Sequence, residues 1–352
     1  MGKAVDDFTI ASRPLVDGSV FFIAEAGINH NGNLDRARDL VDVAADSGAD
    51  AVKFQTYDTD SLVSQNAPAA SYQTESTDAE TQFEILERNR LTYEEFERLQ
   101  SYCQSKDVTF LSTPFDRSSA DLLAELGVPA MKLGSGELTN HPLLEHVAGL
   151  GRPMILSTGM ATMDEVEAAV SAVREVDPEA RIALLHCTST YPAPLDVVNL
   201  RAMNELGASF DVPVGYSDHT TAVAMPGFAT AAGARIVEKH FTLDQSLPGP
   251  DHHASLEPAE LDRAVALTRD AAIARGTSTK QPTAEERVMR RTARKSLHAA
   301  RPLPAGSVVS ADDVAVKRPN EGLPPADYGD VVGRTLSNAV SRDEPLTEAD
   351  FE

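Results

Sequence analysis

Lysine or histidine stands at the end of four of eight short apolar runs in this chain, and Glu, Thr, Ser or Cys ends the other four. The runs cover residues 20–24, 51–54, 108–111, 130–133, 153–156, 182–185, 212–215 and 235–237. At their ends come Glu25, Lys53, Thr113, Lys132 with Ser135, Ser157, Cys187 with Thr188, His219, and Lys239 with His240. The chain has eight lysines in all, so three at such ends are poorly explained by solubility. Lys53 and Lys132 are point charges suited to a small anion. Ser135, Ser157 and Ser217, with the Gly134-Ser135-Gly136 turn, offer hydroxyls and close backbone approach to phosphate oxygens; a tight turn is the plainer account of the glycines. His219 and His240 end neighbouring runs, close enough for two imidazoles to share one ion of the Mn, Fe or Co type. Asp218 is then a further ligand or a hydrogen-bond partner of one, and two unrelated polar residues are the plainer alternative. Glu25 and Glu137 can handle protons or water, or can instead hold a lysine in place. His30 sits in a polar turn where Asn29 and Asn31 are candidate helix caps, and His186 reads as a core histidine. His252 and His253 fall in a Gly-Pro-Asp loop after the last run, facing substrate or solvent.

Eight buried strands alternating with helices place these groups together. Helix-period stretches lie at 34–47, 93–106, 119–126, 142–150, 163–176, 222–232 and 258–275, with a weaker one near 198–206. Thr92 and Thr162 with Glu165 give helix-start signals. Strict alternation predicts a parallel sheet, and eight units predict a closed (β/α)8 TIM barrel, whose reactive groups collect at the C-terminal ends of the strands. Residues 57–89 form one overlong polar connection on that face, a lid or a disordered insertion. We expect the barrel over residues 1–275, a linker with a short charged helix over 276–294, and a small β-rich domain over 295–352. The last region carries an internal echo, Ser310 with Asp313 and Thr347 with Asp350, each a helix-start signature. It is marginal in size for a unit on its own.

With 54 acidic residues against 31 basic ones, the net charge of −23 disfavours nucleic acid and anionic membrane as partners. Abundant acid with little lysine also fits a high-salt cytoplasm. Two cysteines, Cys103 and Cys187, match no metal spacing and fit a reducing compartment. The start has no secretory pattern and no apolar run reaches about 18 residues, so the expected location is cytoplasmic.

In series, IAEAGINHNG (23–32), VKFQT (52–56), STPF (112–115), KLGSGE (132–137), LHCT (185–188) with Tyr191-Pro192, YSDHT (216–220), EKHF (238–241) and GPDH (249–252) resemble the sialic acid synthase family. VKRP (316–319) with Gly322 resembles that family's C-terminal antifreeze-like (SAF) domain. The resemblance implies condensation of phosphoenolpyruvate with an N-acylated aminosugar of the N-acetylmannosamine type, giving a nine-carbon α-keto acid and free phosphate. It implies Lys53, Thr113, Lys132, Ser135, Ser157 and Ser217 around phosphoenolpyruvate, and Glu25 and Glu137 at the reacting centre. Gln55, Tyr191 and Asp251 would face the sugar, with Arg318 arriving from the SAF domain. His219 and His240 would hold a divalent metal, commonly manganese, with magnesium or cobalt as alternatives. Many relatives carry Asn as a phosphoenolpyruvate contact where this chain has Ser189, a shorter group that a water could extend. The 249–258 loop resembles the neuraminate and legionaminate branches more than the pseudaminate one. A legionaminate synthase acting on a diacetamido 6-deoxy sugar therefore stands as the alternative. A barrel metallohydrolase or a carbohydrate-binding protein without turnover are more distant ones. The expected assembly is a domain-swapped homodimer in which Arg318 acts on the partner's barrel.

Overall fold

The computed structural model describes residues 8–16, 18–69 and 81–352. Residues 1–277 and 278–352 form two separate compact units.

The first unit is built on eight parallel strands: β1 (Phe21–Gly27), β2 (Ala51–Thr56), β3 (Thr109–Pro114), β4 (Met131–Leu133), β5 (Met154–Ser157), β6 (Ile182–Cys187), β7 (Val214–Asp218) and β8 (Ile236–His240). Their order in the sheet is β3-β2-β1-β8-β7-β6-β5-β4. Consecutive strands pair from β1 to β3 and from β4 to β8, and β8 pairs directly with β1, so the sheet is a nearly closed TIM-type barrel. The break lies between β3 and β4, which belong to one sheet without a paired ladder among the described residues. The helices are α1 (Leu34–Asp46), α2 (Tyr93–Ser105), α3 (Arg117–Leu126), α4 (His141–Gly149), α5 (Met163–Val176), α6 (Ala202–Phe210), α7 (Met225–Ala232) and α8 (Pro258–Arg275). Reciprocal capping boxes start α2 at Thr92–Glu95 and α5 at Thr162–Glu165, as the spacing predicts. The cap of α1 is Asn33, not Asn29 or Asn31, because Asn33 alone meets the free amide of Arg36.

Alternation along each strand separates two cores. Phe22, Ala24, Val52, Phe54, Phe110 and Leu156 point outward to the helices. Ile23, Ala51, Leu111, Ala130, Ile155, Leu185 and Ile236 fill the lumen. A short N-terminal hairpin, Thr9–Ile10 paired with Arg13–Pro14, adds Phe8, Ile10 and Leu15 to that lumen core. Gly215 leaves room for this packing, since a Cβ there would lie 2.5 Å from Leu185 Cδ2. A dry floor thus underlies everything above it.

The long connection after β2 contains two short helices, Thr59–Leu62 and Gln82–Arg88; the part of the expected lid at 70–80 lies outside the described residues. The second unit holds α9 (Ala284–Ala293) and an antiparallel pair, β9 (Ser296–Ala299) with β10 (Val314–Lys317). Isolated bridges such as Leu303–Val340 and Leu336–Phe351 complete it around Leu297, Val309, Val331 and Leu346. The Ser310–Asp313 and Thr347–Asp350 echo is real, but each is a single 3-10 turn closed by its own capping box. Among the described residues no helix is long and apolar enough to cross a membrane.

Candidate active site

Above the apolar floor, the next lumen-facing position on each strand is polar. Glu25, Lys53, Thr113, Lys132, Ser157, Cys187, Ser217 and Glu238 all line one cavity of about 230 Å³. Register explains their juxtaposition: Glu25 is level with Lys53 on one side and His240 on the other, and Ser217 is level with Glu238 and Cys187. Period-two alternation raises each of them directly over a floor residue.

The centre is a chain of charges. Lys53 Nζ lies 2.8 Å from Glu25 Oε2 and 3.7 Å from Glu238 Oε2. Lys132 Nζ lies 3.6 Å from Glu238 Oε1. Lys53 donates to Thr113 Oγ1 at 2.8 Å, Lys132 to Ser157 Oγ at 2.8 Å, and Ser217 Oγ to Glu238 Oε1 at 3.1 Å. All four charged groups are buried. Burial pushes the Glu25 carboxyl up to about 7 against the pull of Lys53, and the neighbouring Glu238 charge adds to the rise. Burial also acts on Glu238, but Lys132 and Lys53 outweigh it and hold that carboxyl below its ordinary range. Burial pulls Lys132 down, whereas for Lys53 the two carboxylates overcome burial and the net is upward. The cluster therefore sets two lysines against one firm carboxylate and one whose proton is held more tightly than usual. That surplus favours an anion.

A second group flanks the first. His219 Nδ1 donates to Thr188 O at 2.8 Å, which leaves Nε2 as a lone-pair site; Tyr191 OH donates to it at 3.0 Å. The His219 and His240 ring centroids are 5.5 Å apart. His240 Nδ1 is buried without a hydrogen-bond partner, and burial with the His219 charge holds the ring well below the ordinary histidine range, hence neutral. Burial pulls His219 down, but Cys187 and the Thr188 carbonyl bring its net shift up. Two lumen-facing imidazoles, one oriented through a backbone carbonyl, fit a divalent cation as two ligands of an open site. Among the described residues no group of three or more His, Cys, Asp and Glu converges there, so further ligands would be water or substrate. Burial pushes the Cys187 thiol up, but His219, whose Nδ1 is 3.6 Å from Sγ, brings the net shift down.

Gln55, Tyr191, Asp251 and Ser135 also line the cavity. Gly27, at φ +54° where β1 bulges against β2, brings three of the groups together: a Cβ there would lie 3.4 Å from Glu25 Oε1, 3.5 Å from Gln55 Nε2 and 3.6 Å from Asp251 Oδ2. Burial raises the Asp251 carboxyl. The loop carrying Asp251 is tied to the loop after β1. Asn29 Nδ2 donates to Phe241 O and Ser255 Oγ, Asn31 Nδ2 donates to Pro248 O, and His252 Nε2 donates to Asn31 Oδ1. His252 thus faces neither substrate nor solvent.

Other expectations change. Glu137 is not among the residues lining the cavity; its carboxylate accepts from Asn140 Nδ2 at 2.7 Å within the turn after β4. Ser189 is also outside the lining, packed near Gly159, whose amide donates to Ser135 Oγ. Asp218 and Lys239 have outward parity and pair with each other at 2.9 Å, so Asp218 is neither a ligand nor a partner of one. His186 is half-buried and donates to Val198 O, outside the lumen. Arg318 belongs to the second unit. Glu238 is the functional candidate that sequence reasoning missed. Its signal was the lumen parity it shares with His240 in a strand of three consecutive charged or polar residues.

Comparison with known proteins gives the family. Residues 40–280 match the NeuB family, and residues 294–352 match the SAF domain. The N,N'-diacetyllegionaminic acid synthase of Legionella pneumophila is 43% identical over 325 residues, 91% of each chain. The N-acetylneuraminate-9-phosphate synthase of Homo sapiens is 35% identical over 93% of this chain and 91% of its own. The N-acetylneuraminic acid (sialic acid) synthetase of Leptospira borgpetersenii superposes with a TM-score of 0.73 at 35% identity, covering 80% of this chain and 94% of that one. By sequence, architecture and the order of its domains, this chain belongs to the NeuB family and ends in a SAF domain.

Proposed function

We propose that this chain is a phosphoenolpyruvate-dependent C–C bond-forming synthase of the sialic-acid type, and that its acceptor is a diacetamido 6-deoxy hexose, giving a legionaminate-type nine-carbon α-keto acid. The buried Glu25–Lys53–Glu238–Lys132 chain is the observation that carries the synthase reading. The 43% identity to the Legionella enzyme, against 35% to the human one, favours the diacetamido sugar over N-acetylmannosamine.

The residues divide the work. Lys53 and Lys132, with hydroxyls of Thr113, Ser135, Ser157 and Ser217, bind the phosphate and carboxylate of phosphoenolpyruvate. Glu238 holds both ammonium groups in the lumen at distances too long to quench them as donors. Gln55, Asp251 and Tyr191 orient the acceptor. His219 and His240 would hold a divalent cation such as Mn2+, which supplies Lewis-acid polarisation of the open-chain aldehyde. C3 of phosphoenolpyruvate bonds to the aldehyde carbon, whose oxygen takes a proton. Water adds at C2, and Glu25, titrating near neutrality, accepts its proton. The C2–O bond then breaks, leaving the ketone and inorganic phosphate. Phosphoenolpyruvate is a cytoplasmic metabolite, so a cytoplasmic location goes with this reading.

The test is direct. Enzyme, phosphoenolpyruvate and a panel of N-acyl hexosamines are incubated with Mn2+, with phosphate release and product mass followed. The diacetamido sugar gives the highest kcat/KM; absence of phosphate release with every acceptor overturns the synthase reading.

A further inference from the structure

The cavity lining is uneven. Hydroxyls and lysines line the strand ends of β2, β3, β4, β5 and β7, while Ile28, Leu86 and Pro250 line it from the loops after β1, β2 and β8, together with Gln55 on β2 and Asp251. Leu86 comes from the short helix Gln82–Arg88, far along the overlong connection. That helix is held in place. Tyr57 OH donates to Leu86 O at 3.0 Å, and Thr59 Oγ1 to Glu87 Oε2 at 2.7 Å. The Gly32 Cα lies so close to Arg88 O that a side chain at Gly32 would collide with it, so the loop bearing Ile28 packs on the helix end. The sequence of this connection is acidic: residues 57–89 contain seven carboxylates, at positions 58, 60, 75, 78, 80, 84 and 87, against one arginine, Arg88. The cavity lining contains no arginine, and its two lysines are already directed at Glu238.

We propose that Leu86 is a specificity-determining residue: with Ile28 it forms an apolar wall that selects an uncharged acceptor bearing a methyl group at that wall and rejects the phosphorylated one. The inference rests on reading the cavity as a synthase site. A sugar phosphate would meet apolar carbon at this wall, and its charge would lose hydration without gaining a partner there. A methyl or acetamido group at the same place only exchanges water for carbon. The discrimination from one such contact is of the order of 10–200-fold.

The test compares N-acetylmannosamine, its 6-phosphate and a diacetamido 6-deoxy hexose, each with saturating phosphoenolpyruvate. The wild-type enzyme should show a kcat/KM for the 6-phosphate at least about 100-fold below that for the deoxy sugar. Leu86→Ser should lower kcat/KM for the deoxy sugar by about 10-fold or more, through acceptor KM, while the KM for phosphoenolpyruvate stays unchanged. Leu86→Met, which keeps the wall apolar, should retain the wild-type preference. Wild-type use of the 6-phosphate as well as of the free sugars overturns the inference and leaves the synthase reading standing. An equal fall for all three acceptors in Leu86→Ser overturns it too. No phosphate release with any acceptor overturns both.

Discussion

Glu238→Gln removes the one firm negative charge between Lys53 and Lys132. At an effective dielectric of about 20, contacts of 3.6 and 3.7 Å each represent roughly 4–5 kcal/mol of attraction before desolvation. Much of this is offset by the cost of burying the carboxylate. What remains on deleting one partner is the penalty of uncompensated buried charge, about 3–5 kcal/mol. The amide keeps the shape and still accepts from Ser217, so packing changes little. For a barrel of this size each kcal/mol shifts Tm by about 2 °C or slightly more, which predicts a fall of roughly 6–10 °C. An anion in the site should supply the missing charge. Saturating phosphoenolpyruvate or inorganic phosphate should therefore raise the variant's Tm by more than it raises the wild type's. Glu25 should respond as well: having lost a like charge and gained two under-neutralised lysines, its carboxyl should fall from about 7 toward the ordinary range. Differential scanning calorimetry with and without phosphate, plus the acid limb of the pH–rate profile, reads all three effects. A Tm within about 1 °C of wild type and an unmoved acid limb would refute the reasoning.

For the wild-type enzyme, kcat/KM should rise with pH through about 7 as Glu25 ionises, and Glu25→Gln should abolish both the limb and most of the turnover. The sign for stability is the opposite: a raised carboxyl contributes stability that is full below its unfolded value near 4.5 and lost as pH rises through about 7, so Glu25→Gln should be relatively more stable at pH 8 than at pH 5. Lys53→Ala and Lys132→Ala should each lose strong phosphoenolpyruvate binding, and Arg at either position should rescue only in part because its planar fork does not fit a point-charge niche; normal KM in both alanine variants would show these lysines to be structural. Chelation should stop turnover, added Mn2+ should restore it, and His219→Ala should show reduced Mn2+ uptake in equilibrium dialysis while keeping its Tm. If a homodimer places Arg318 on the partner's barrel, mixing His219→Ala with Arg318→Ala under subunit exchange should restore roughly a quarter of normal activity, whereas verified exchange with no recovery would exclude that arrangement.

The sequence by itself determined the barrel, because eight apolar runs separated by helix-period stretches leave a parallel sheet few other ways to bury its strands. It also determined which polar types stand at the rim, Lys53, Lys132, His219 and His240 among them. Facing was decided only by the tertiary structure. Ser217, Asp218 and His219 at the end of β7, and Glu238, Lys239 and His240 on β8, are consecutive polar residues, and composition does not say which of them point inward. Closure of the sheet sends Ser217, Glu238 and His240 to the lumen and leaves Asp218 and Lys239 to neutralise each other outside. A tight turn after β4 gives the Glu137 carboxylate a local amide to accept from, whereas the strand position of Glu238 gives it Ser217 and the two lysines. The titration of Glu25 near neutrality is likewise beyond the sequence, since it arises from burial and from a second carboxylate more than two hundred residues away that only barrel closure brings beside it.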